Sequence, residues 1–237
     1  MSAPQQSTLR NHLLTALPAE DFAALQAHLE PVDLPLREVL HEPDQPIPHV
    51  YFPEMGFSSI VTNGGGSKVE LGIVGREGMT GVPVVLHVDR MPFECFIQNP
   101  GHGHRVAASA LKAVLDERPS VHRLLLRYAH ALNVQTSATA FANANHTLEM
   151  RLARWLLMCH DRIDGYDIEI THDFLAMMLG VRRPGVTTTL HVLEGNRLIR
   201  ASRGVITIRD REGLEKMADD AYGLPEREYA RLMAEET

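Results

Sequence analysis

The spacing of apolar residues changes near Pro31, where a β-rich stretch begins that extends to about residue 105. Between residues 31 and 105, short runs of strand-forming residues alternate with proline and glycine, which interrupt strands. Evenly spaced short strands are typical of a small antiparallel barrel or roll. Two short amphipathic helices are predicted before this region, at residues 8–17 and 19–29. The predicted strands are residues 32–34, 49–52, 58–62, 69–74 and 93–98.

A long helix is predicted from residue 121 to residue 143, after a short helix at 109–115. Along it, side chains recur at alternating intervals of three and four, as at the a and d positions of a coiled coil. We expect this seam to pair with the same seam of a second copy, giving a homodimer. The alternative is that the seam covers the neighbouring roll, because any amphipathic helix buries one face. The seam consists of Leu125, Tyr128, Leu132, Gln135, Thr139 and Ala142.

The segment 143–147, with the sequence NANHT, is rich in residues that cap helix N-termini. It predicts a break before a second helix at residues 148–162. Trp155 lies within the apolar stripe of that helix, so we interpret it as a core residue. The break is the expected domain boundary.

The last third of the chain predicts a helix, a glycine turn, a second helix and a β-hairpin. Thr171 caps a helix at 173–179, and Gly180 ends it because glycine adopts the left-handed conformation at low cost. The next helix, 185–195, tolerates Pro184 in its first turn. Strands at 198–199 and 205–208 then form a wing around a turn at 202–204. A winged helix-turn-helix fits this order; a solvated helical hairpin is the alternative from spacing alone.

Polar side chains on this predicted motif are suited to double-stranded DNA. The second helix begins with two arginines and exposes polar groups opposite its apolar side, where they can reach base edges in a major groove. Other side chains, at the start of the first helix and in the wing turn, are placed to contact phosphates. The base-facing candidates are Arg182, Arg183, Thr187, Thr188 and His191, and the phosphate-facing candidates are Thr171, His172 and Arg203.

Charge and cysteine content exclude several classes of protein. The net charge is −7, so any contact with DNA must be local. The two cysteines, Cys95 and Cys159, each lie in an apolar stretch, which excludes a cysteine-only zinc or iron–sulfur site. No long apolar run and no secretory signal is evident, so we expect a cytoplasmic protein without a membrane partner.

His102 and His104 raise the alternative of a metal-dependent enzyme on a cupin-like roll, since two imidazoles two residues apart on a strand face one side. That motif needs a carboxylate a few residues later, where the chain has Ala-Ala-Ser at 107–109. The flanking glycines predict a turn, so we interpret both histidines as loop residues. We therefore predict no metal, no cofactor and no enzymatic activity. A sensor domain that acts only through protein contacts is a third interpretation.

Several segments resemble a known family. THDFLAMMLGVRRPGVTTTLHVLEGNRLI and RGVITIRDREGLE closely resemble the winged helix of the Crp/Fnr regulators. LLLRYAHALNVQTSATAFANANHTLEMRLARWLL resembles their dimerisation helix and hinge, and VYFPEMGFSS and VGREGMTG resemble their β-roll. The resemblance extends from about residue 13 to residue 215.

This resemblance implies an α+β fold: a β-roll like that of cyclic-nucleotide-binding domains, a long dimerisation helix and a C-terminal winged helix-turn-helix. The implied domains are residues 1–118, 119–145 and 146–237, the last with a helical tail. It also implies a bacterial transcription regulator, a homodimer on an inverted repeat in double-stranded DNA, with RNA polymerase as a further candidate partner. Arg183 and Thr188 would read bases. Pro184 stands where the family often has an acidic residue, so the preferred half-site should differ from that of the cyclic-AMP receptor.

The implied effector site departs from the family pattern. Members that bind cyclic nucleotides carry a Gly-Glu pair and, about ten residues later, an arginine followed by a small hydroxyl residue and alanine. Here an arginine precedes the glutamate, and Met-Pro follows the second arginine, so a buried phosphate would lose donors. We expect no cyclic nucleotide; the effector, if there is one, is unidentified. The candidate pocket residues are Arg76, Glu77 and Arg90, with Gln135 and Thr136 on the long helix.

Overall fold

The computed structural model describes residues 4–64 and 67–234, which form an α+β fold of two compact units. The first unit contains the described residues up to Ile60, Ile73–Asn133, and the described residues from Glu228 onward. The second contains the described part of Val61–Gly72, together with Val134–Arg227. The three-domain division stays a prediction.

The helices after the first sheet begin and end close to their predicted positions, whereas the helix predicted at 8–17 is the shorter α1, His12–Ala16. The long helix and the break after it are confirmed, and the Thr147 hydroxyl accepts a hydrogen bond from the Met150 N–H at the start of the next helix. Before the first helix, the Asn11 side chain accepts bonds from two N–H groups. The α-helices are α1 (His12–Ala16), α2 (Ala19–Gln26), α3 (Ala108–Glu117), α4 (Pro119–Asn145), α5 (Leu148–His160), α6 (His172–Leu179), α7 (Arg183–Gly195), α8 (Arg211–Ala218) and α9 (Leu224–Ala234).

Five strands form the first sheet, in the order β1-β5-β3-β4, with β2 also paired to β5. Both β1 and β2 run antiparallel to β5. The strands are β1 (Glu30–Leu34), β2 (Val39–His41), β3 (His49–Gly64), β4 (Ser67–Val74) and β5 (Glu94–Ala107). The short strand β2 was not among the predicted strands.

Glycines make two of these strands longer than predicted. The runs at 49–52 and 58–62 belong to one strand, β3, in which Gly56 has a φ of +76°. A Cβ atom there would overlap the carbonyl oxygen of Asn99, so the glycine permits close approach to β5. The predicted loop at 101–104 is wrong for the same reason. A Cβ at Gly101 or Gly103 would overlap a β3 carbonyl oxygen, and both His102 and His104 lie within β5.

The core of the first unit lies between its sheet and its helices. Phe52 and Ile97 from the strands, and Leu111 from α3, are 0% exposed. One face of α4 also enters this core through Leu125 and Tyr128, each 2% exposed. Burial of such large apolar side chains stabilises a unit by about 1.5–3 kcal/mol each.

The second unit contains a three-stranded sheet of β6 (Asp167–Glu169), β7 (Ile199–Ser202) and β8 (Val205–Ile208), in the antiparallel order β6-β8-β7. The helices α5, α6, α7 and α8 belong to the same unit. Its buried apolar residues include Leu152, Leu156, Leu175, Val186, Leu190, Leu193, Ile206 and Leu214. The predicted order of helix, turn, helix and hairpin is therefore present.

The structure also describes the two cysteines and the hydrophobicity of the helices. Both Cys95 and Cys159 are buried free thiols, and burial raises the pKa of each. Within residues 4–64 and 67–234, no helix is long and apolar enough to cross a membrane.

Candidate nucleic-acid interface

The turn between α6 and α7 follows from its sequence. The Thr171 hydroxyl accepts a bond from the Phe174 N–H at 3.2 Å and begins α6. Gly180, with a φ of +63°, ends α6 in the left-handed conformation. Pro184 lies in the first turn of α7, where a missing N–H removes no intrahelical bond. These local signals fix the two helices as a helix-turn-helix.

The second helix separates its side chains into a buried and an exposed face. Val186, Leu190 and Leu193 are each at most 1% exposed and pack into the core of the second unit. The N-cap residue Arg182 makes no side-chain capping bond. The exposed side chains at the start of α7 and on its free face include Arg182, Arg183, Thr188 and His191. The face that the sequence assigns to DNA is thus available in this unit.

Most of the predicted base-facing side chains already have a polar neighbour. Arg183 Nε lies 3.4 Å from Asp173 Oδ1. Thr187, half-buried, is 3.1 Å from His172 Nδ1 through its hydroxyl. The Thr188 hydroxyl donates to the Pro184 carbonyl oxygen at 3.1 Å. The hydroxyl hydrogen of Thr188 is therefore used within α7.

His191 Nδ1 lies 3.7 Å from Glu194 Oε2, and the other carboxylate oxygen, Oε1, accepts a bond from the wing. That second bond, from the Ala201 N–H at 2.7 Å, connects α7 to β7. At the other side of the wing, the Ile170 N–H donates to the Gly204 carbonyl oxygen at 2.9 Å. The wing turn, with exposed Arg203, is therefore held beside the start of α6 and beside α7.

Three exposed arginines of this unit were not singled out from the sequence. Arg197 lies between α7 and β7 with a φ of +63°, Arg200 lies on β7, and Arg209 follows β8. Together with Arg203, they concentrate positive charge around the wing of a chain whose net charge is −7. The density of arginine from residue 197 to 211 was the signal in the sequence.

A buried polar contact anchors helix α5 in the second unit. The Trp155 indole N–H donates to a Glu70 carboxylate oxygen at 2.8 Å, and both residues are under 5% exposed. At the other end of α5, Arg211 donates to Asp161 at 2.8 Å and to the Tyr222 hydroxyl at 2.9 Å. These contacts fix α5, on which α7 and α8 pack.

The predicted dimer seam is largely buried within the protomer. Leu125 and Tyr128 belong to the core of the first unit, and Leu132 packs against it. In the second unit, Gln135 and Ala142 are 8% and 3% exposed, and the Thr139 hydroxyl donates to the Gln135 carbonyl oxygen at 3.0 Å. Leu125, Tyr128, Gln135 and Ala142 therefore have little surface left for a partner, while Leu132 and Thr139 are partly exposed. The first-unit part of the stripe packs as the alternative expected, and pairing of the stripe in a homodimer stays a prediction. The exposed residues of α4 include Arg123, Leu126, His130, Asn133, Ser137, Ala140 and Phe141.

The five predicted effector residues are divided between the two units. In the first unit, the Arg76 carbonyl oxygen accepts a bond from the His12 N–H at 2.7 Å, and the Glu77 carboxylate accepts one from the Gly75 N–H at 3.1 Å. Arg90 is 53% exposed and binds Asp89 at 3.0 Å, which raises the arginine pKa. Gln135 and Thr136 belong to the second unit, so neither unit contains all five.

His104, one of the two histidines behind the metal-enzyme alternative, has an acidic neighbour. His104 Nδ1 lies 3.5 Å from Glu54 Oε1, and both side chains are mostly buried. In the part of the chain that the structure describes, no group of three or more histidine, cysteine or acidic side chains can hold a metal ion.

The comparisons with known proteins agree with this geometry. Residues 150–217 match the Crp-like helix-turn-helix domain. FixK2 from Bradyrhizobium japonicum is similar in structure, with a TM-score of 0.69 and 15% identity, over 81% of this chain and 98% of that one. No protein with a curated description matches the chain.

Two further solved structures are similar over most of their length. A putative Crp/Fnr regulator from Eubacterium rectale has a TM-score of 0.68 and 17% identity, over 87% of this chain and 97% of that one. The c-di-GMP-responsive regulator CLP from Xanthomonas campestris has a TM-score of 0.64 and 17% identity, over 81% and 99% respectively. Together with the matched domain, they show that this chain has the fold of the Crp/Fnr transcription regulators and carries their helix-turn-helix DNA-binding domain.

Proposed function

We propose that the protein is a transcription regulator that binds an inverted repeat in double-stranded DNA as a homodimer. The observation that carries this proposal is the exposed start of α7, with Arg182 and Arg183, in the same unit as an arginine-rich wing. A protruding helix with cations at its N-terminal end fits a major groove. Since the whole chain is acidic, these local cations are the surface suited to a polyanion.

The proposed contacts to DNA fall into two groups: those from α7 reach bases, and those from the start of α6 and from the wing reach phosphates. Arg183 offers its guanidinium to guanine O6 and N7, and Thr188 offers a methyl group to a thymine. Arg182, Thr187 and His191 flank them. Thr171 and His172 at the start of α6, and Arg203 in the wing turn, lie where phosphates would approach.

The homodimer is proposed to form along the exposed side of α4. Its residues Arg123, Leu126, His130, Asn133, Ser137 and Ala140 follow alternating steps of three and four, the spacing of a coiled-coil seam. Leu126 is 39% exposed and Phe141 is 56% exposed, so a partner helix would remove both from water. This proposed seam differs from the one predicted from apolar content.

The signal that controls the regulator is unassigned, and a cyclic nucleotide is not its expected ligand. Arg90 is held at the surface by Asp89, and Pro92 has no N–H to offer a phosphate. An unidentified small molecule, or no ligand, is compatible with this site. We also propose RNA polymerase as a further partner of the regulator, and the cytoplasm as its location.

Selection of duplexes from a random pool by the full-length chain tests the function. We expect an inverted repeat with half-site centres about 34 Å apart, one turn of DNA. Fluorescence anisotropy should then show tighter binding to the selected duplex than to random DNA. If no duplex binds at low salt, the chain acts instead through protein contacts.

A further inference from the structure

Two polar contacts connect the first turn of α6 with the DNA-facing side of α7. His172 Nδ1 lies 3.1 Å from the Thr187 hydroxyl, and Asp173 Oδ1 lies 3.4 Å from Arg183 Nε. The side chains of Asp173 and Arg183 are 68% and 62% exposed, so their pair lies on the surface. Asp173 is not among the residues predicted to contact DNA.

The contact uses a particular edge of the arginine. Asp173 engages Nε, and the guanidinium also carries the Nη1 and Nη2 groups. Those two groups can donate to guanine O6 and N7 together. A carboxylate at Nε therefore leaves the base-reading edge available while it restricts the rotation of a long, flexible side chain. Since an exposed ion pair contributes little to stability, its value would lie in this orientation.

The charge of Asp173 also acts on the DNA backbone. A carboxylate in the first turn of α6 repels phosphates in every duplex, whatever its sequence. This repulsion is the same at a cognate site and at random DNA, so by itself it leaves the ratio of the two affinities unchanged. The pairing with Arg183 does change the ratio, because a guanidinium held by Asp173 is less free to bind the phosphates of random DNA while it still reaches a guanine.

We propose that Asp173 is a positioning residue that holds Arg183 for base recognition, keeps it from binding phosphates, and thereby sets the sequence specificity of the regulator. This inference rests on the proposed DNA-binding function. In this proposal α6 has two roles. Its N-terminus contacts phosphates, and Asp173 contributes to sequence specificity by orienting Arg183 of α7.

The test measures affinities of the full-length chain for the selected duplex and for a random duplex. We expect Asp173→Asn to bind random DNA more tightly and to lower the ratio of the two affinities by about fivefold or more, within the range of a single base contact. Asp173→Glu should retain part of the ratio. Glu169→Gln removes the same charge from an exposed position on β6 without contacting Arg183, and should change both affinities alike.

A double-mutant comparison separates positioning from a simple effect of charge on helix α6. In an Arg183→Ala background, Asp173→Asn should no longer change the ratio. If the ratio changes equally in both backgrounds, or if Glu169→Gln changes it as much as Asp173→Asn, the proposal is wrong. Circular dichroism and thermal melts of each variant verify folding. Failure of the wild-type chain to bind any duplex would instead overturn the proposed function, and this inference with it.

Discussion

Arg183 and Arg203 are exposed arginines of the same unit, but one begins α7 and the other lies in the turn of the wing. We expect Arg183→Ala to cost about 1–3 kcal/mol per half-site at one base position, because a bidentate guanine contact is lost. Binding to random DNA should change little. Anisotropy with the selected duplex, and with duplexes that carry single base-pair changes, measures this difference.

Arg203→Ala is the matched control for this prediction. It should weaken binding to all duplexes alike and lower the slope of log affinity against log salt by about one for a lost phosphate contact. If Arg183→Ala produced the same pattern, Arg183 would be a phosphate contact and not a base-reading residue.

His41 is a buried histidine of β2 whose Nε2 lies 3.0 Å from the Thr80 hydroxyl. Burial, and to a lesser degree the neighbouring His49, lowers the pKa of His41 from 6.5 to about 4. Well above pH 6.5 neither the folded nor the unfolded chain protonates this side chain appreciably. Between pH 6.5 and about 4, the unfolded chain binds a proton that the folded chain does not, so the folded state loses stability as the pH falls.

We therefore expect His41 to reduce the free energy of unfolding by about 2 kcal/mol between pH 7 and pH 5. Burial also lowers the pKa values of His12 and His160, so the wild-type chain should lose more than this. Urea denaturation of wild type and His41→Gln at both pH values isolates the contribution of His41. Equal pH dependence in the two proteins would contradict the assignment; His102→Gln, at an exposed position, is the control.

Helix α4 carries two stripes with the same spacing of three and four residues. Leu126→Glu, on the exposed stripe, should give folded monomers of 26.4 kDa, because two carboxylates would oppose each other across the dimer. Light scattering measures the mass, and circular dichroism verifies the fold. Leu125 is only 2% exposed, so Leu125→Glu should instead unfold the first unit by burying an unpaired charge. A dimer that persists in Leu126→Glu would place the interface elsewhere.

The helices and wing of the second unit were largely predictable from the sequence. Thr171, Gly180 and Pro184 are local signals that act within a few residues, and α6 and α7 begin within two residues of the predicted positions. The strands of the first sheet were less predictable. Gly56 and Gly101 were interpreted as interruptions, yet both lie inside strands where another backbone approaches closely.

The response of the whole protein to nucleotides is also testable. We expect cyclic AMP to leave the affinity for the selected duplex nearly unchanged, because Arg90 pairs with Asp89 at the surface and Met-Pro supplies no phosphate donors beside it. Isothermal titration calorimetry should show no saturable binding at micromolar concentrations. Saturable binding in that range would mean that Arg76 or another group replaces the missing donors.

The sequence alone determined the α+β class, the winged helix-turn-helix and the length of α4, because caps, glycine turns and hydrophobic periodicity operate over short distances. It did not determine which side of α4 is free. Leu125 and Leu132 lie on one stripe, and Arg123 and His130 lie on a stripe displaced by two residues, about 200° around the helix. Only the tertiary structure decided between them, because the apolar stripe packs into the core of its own protomer and leaves the more polar one exposed. The pairing of Asp173 with Arg183 was likewise decided only there, since folding brings together two helix starts ten residues apart.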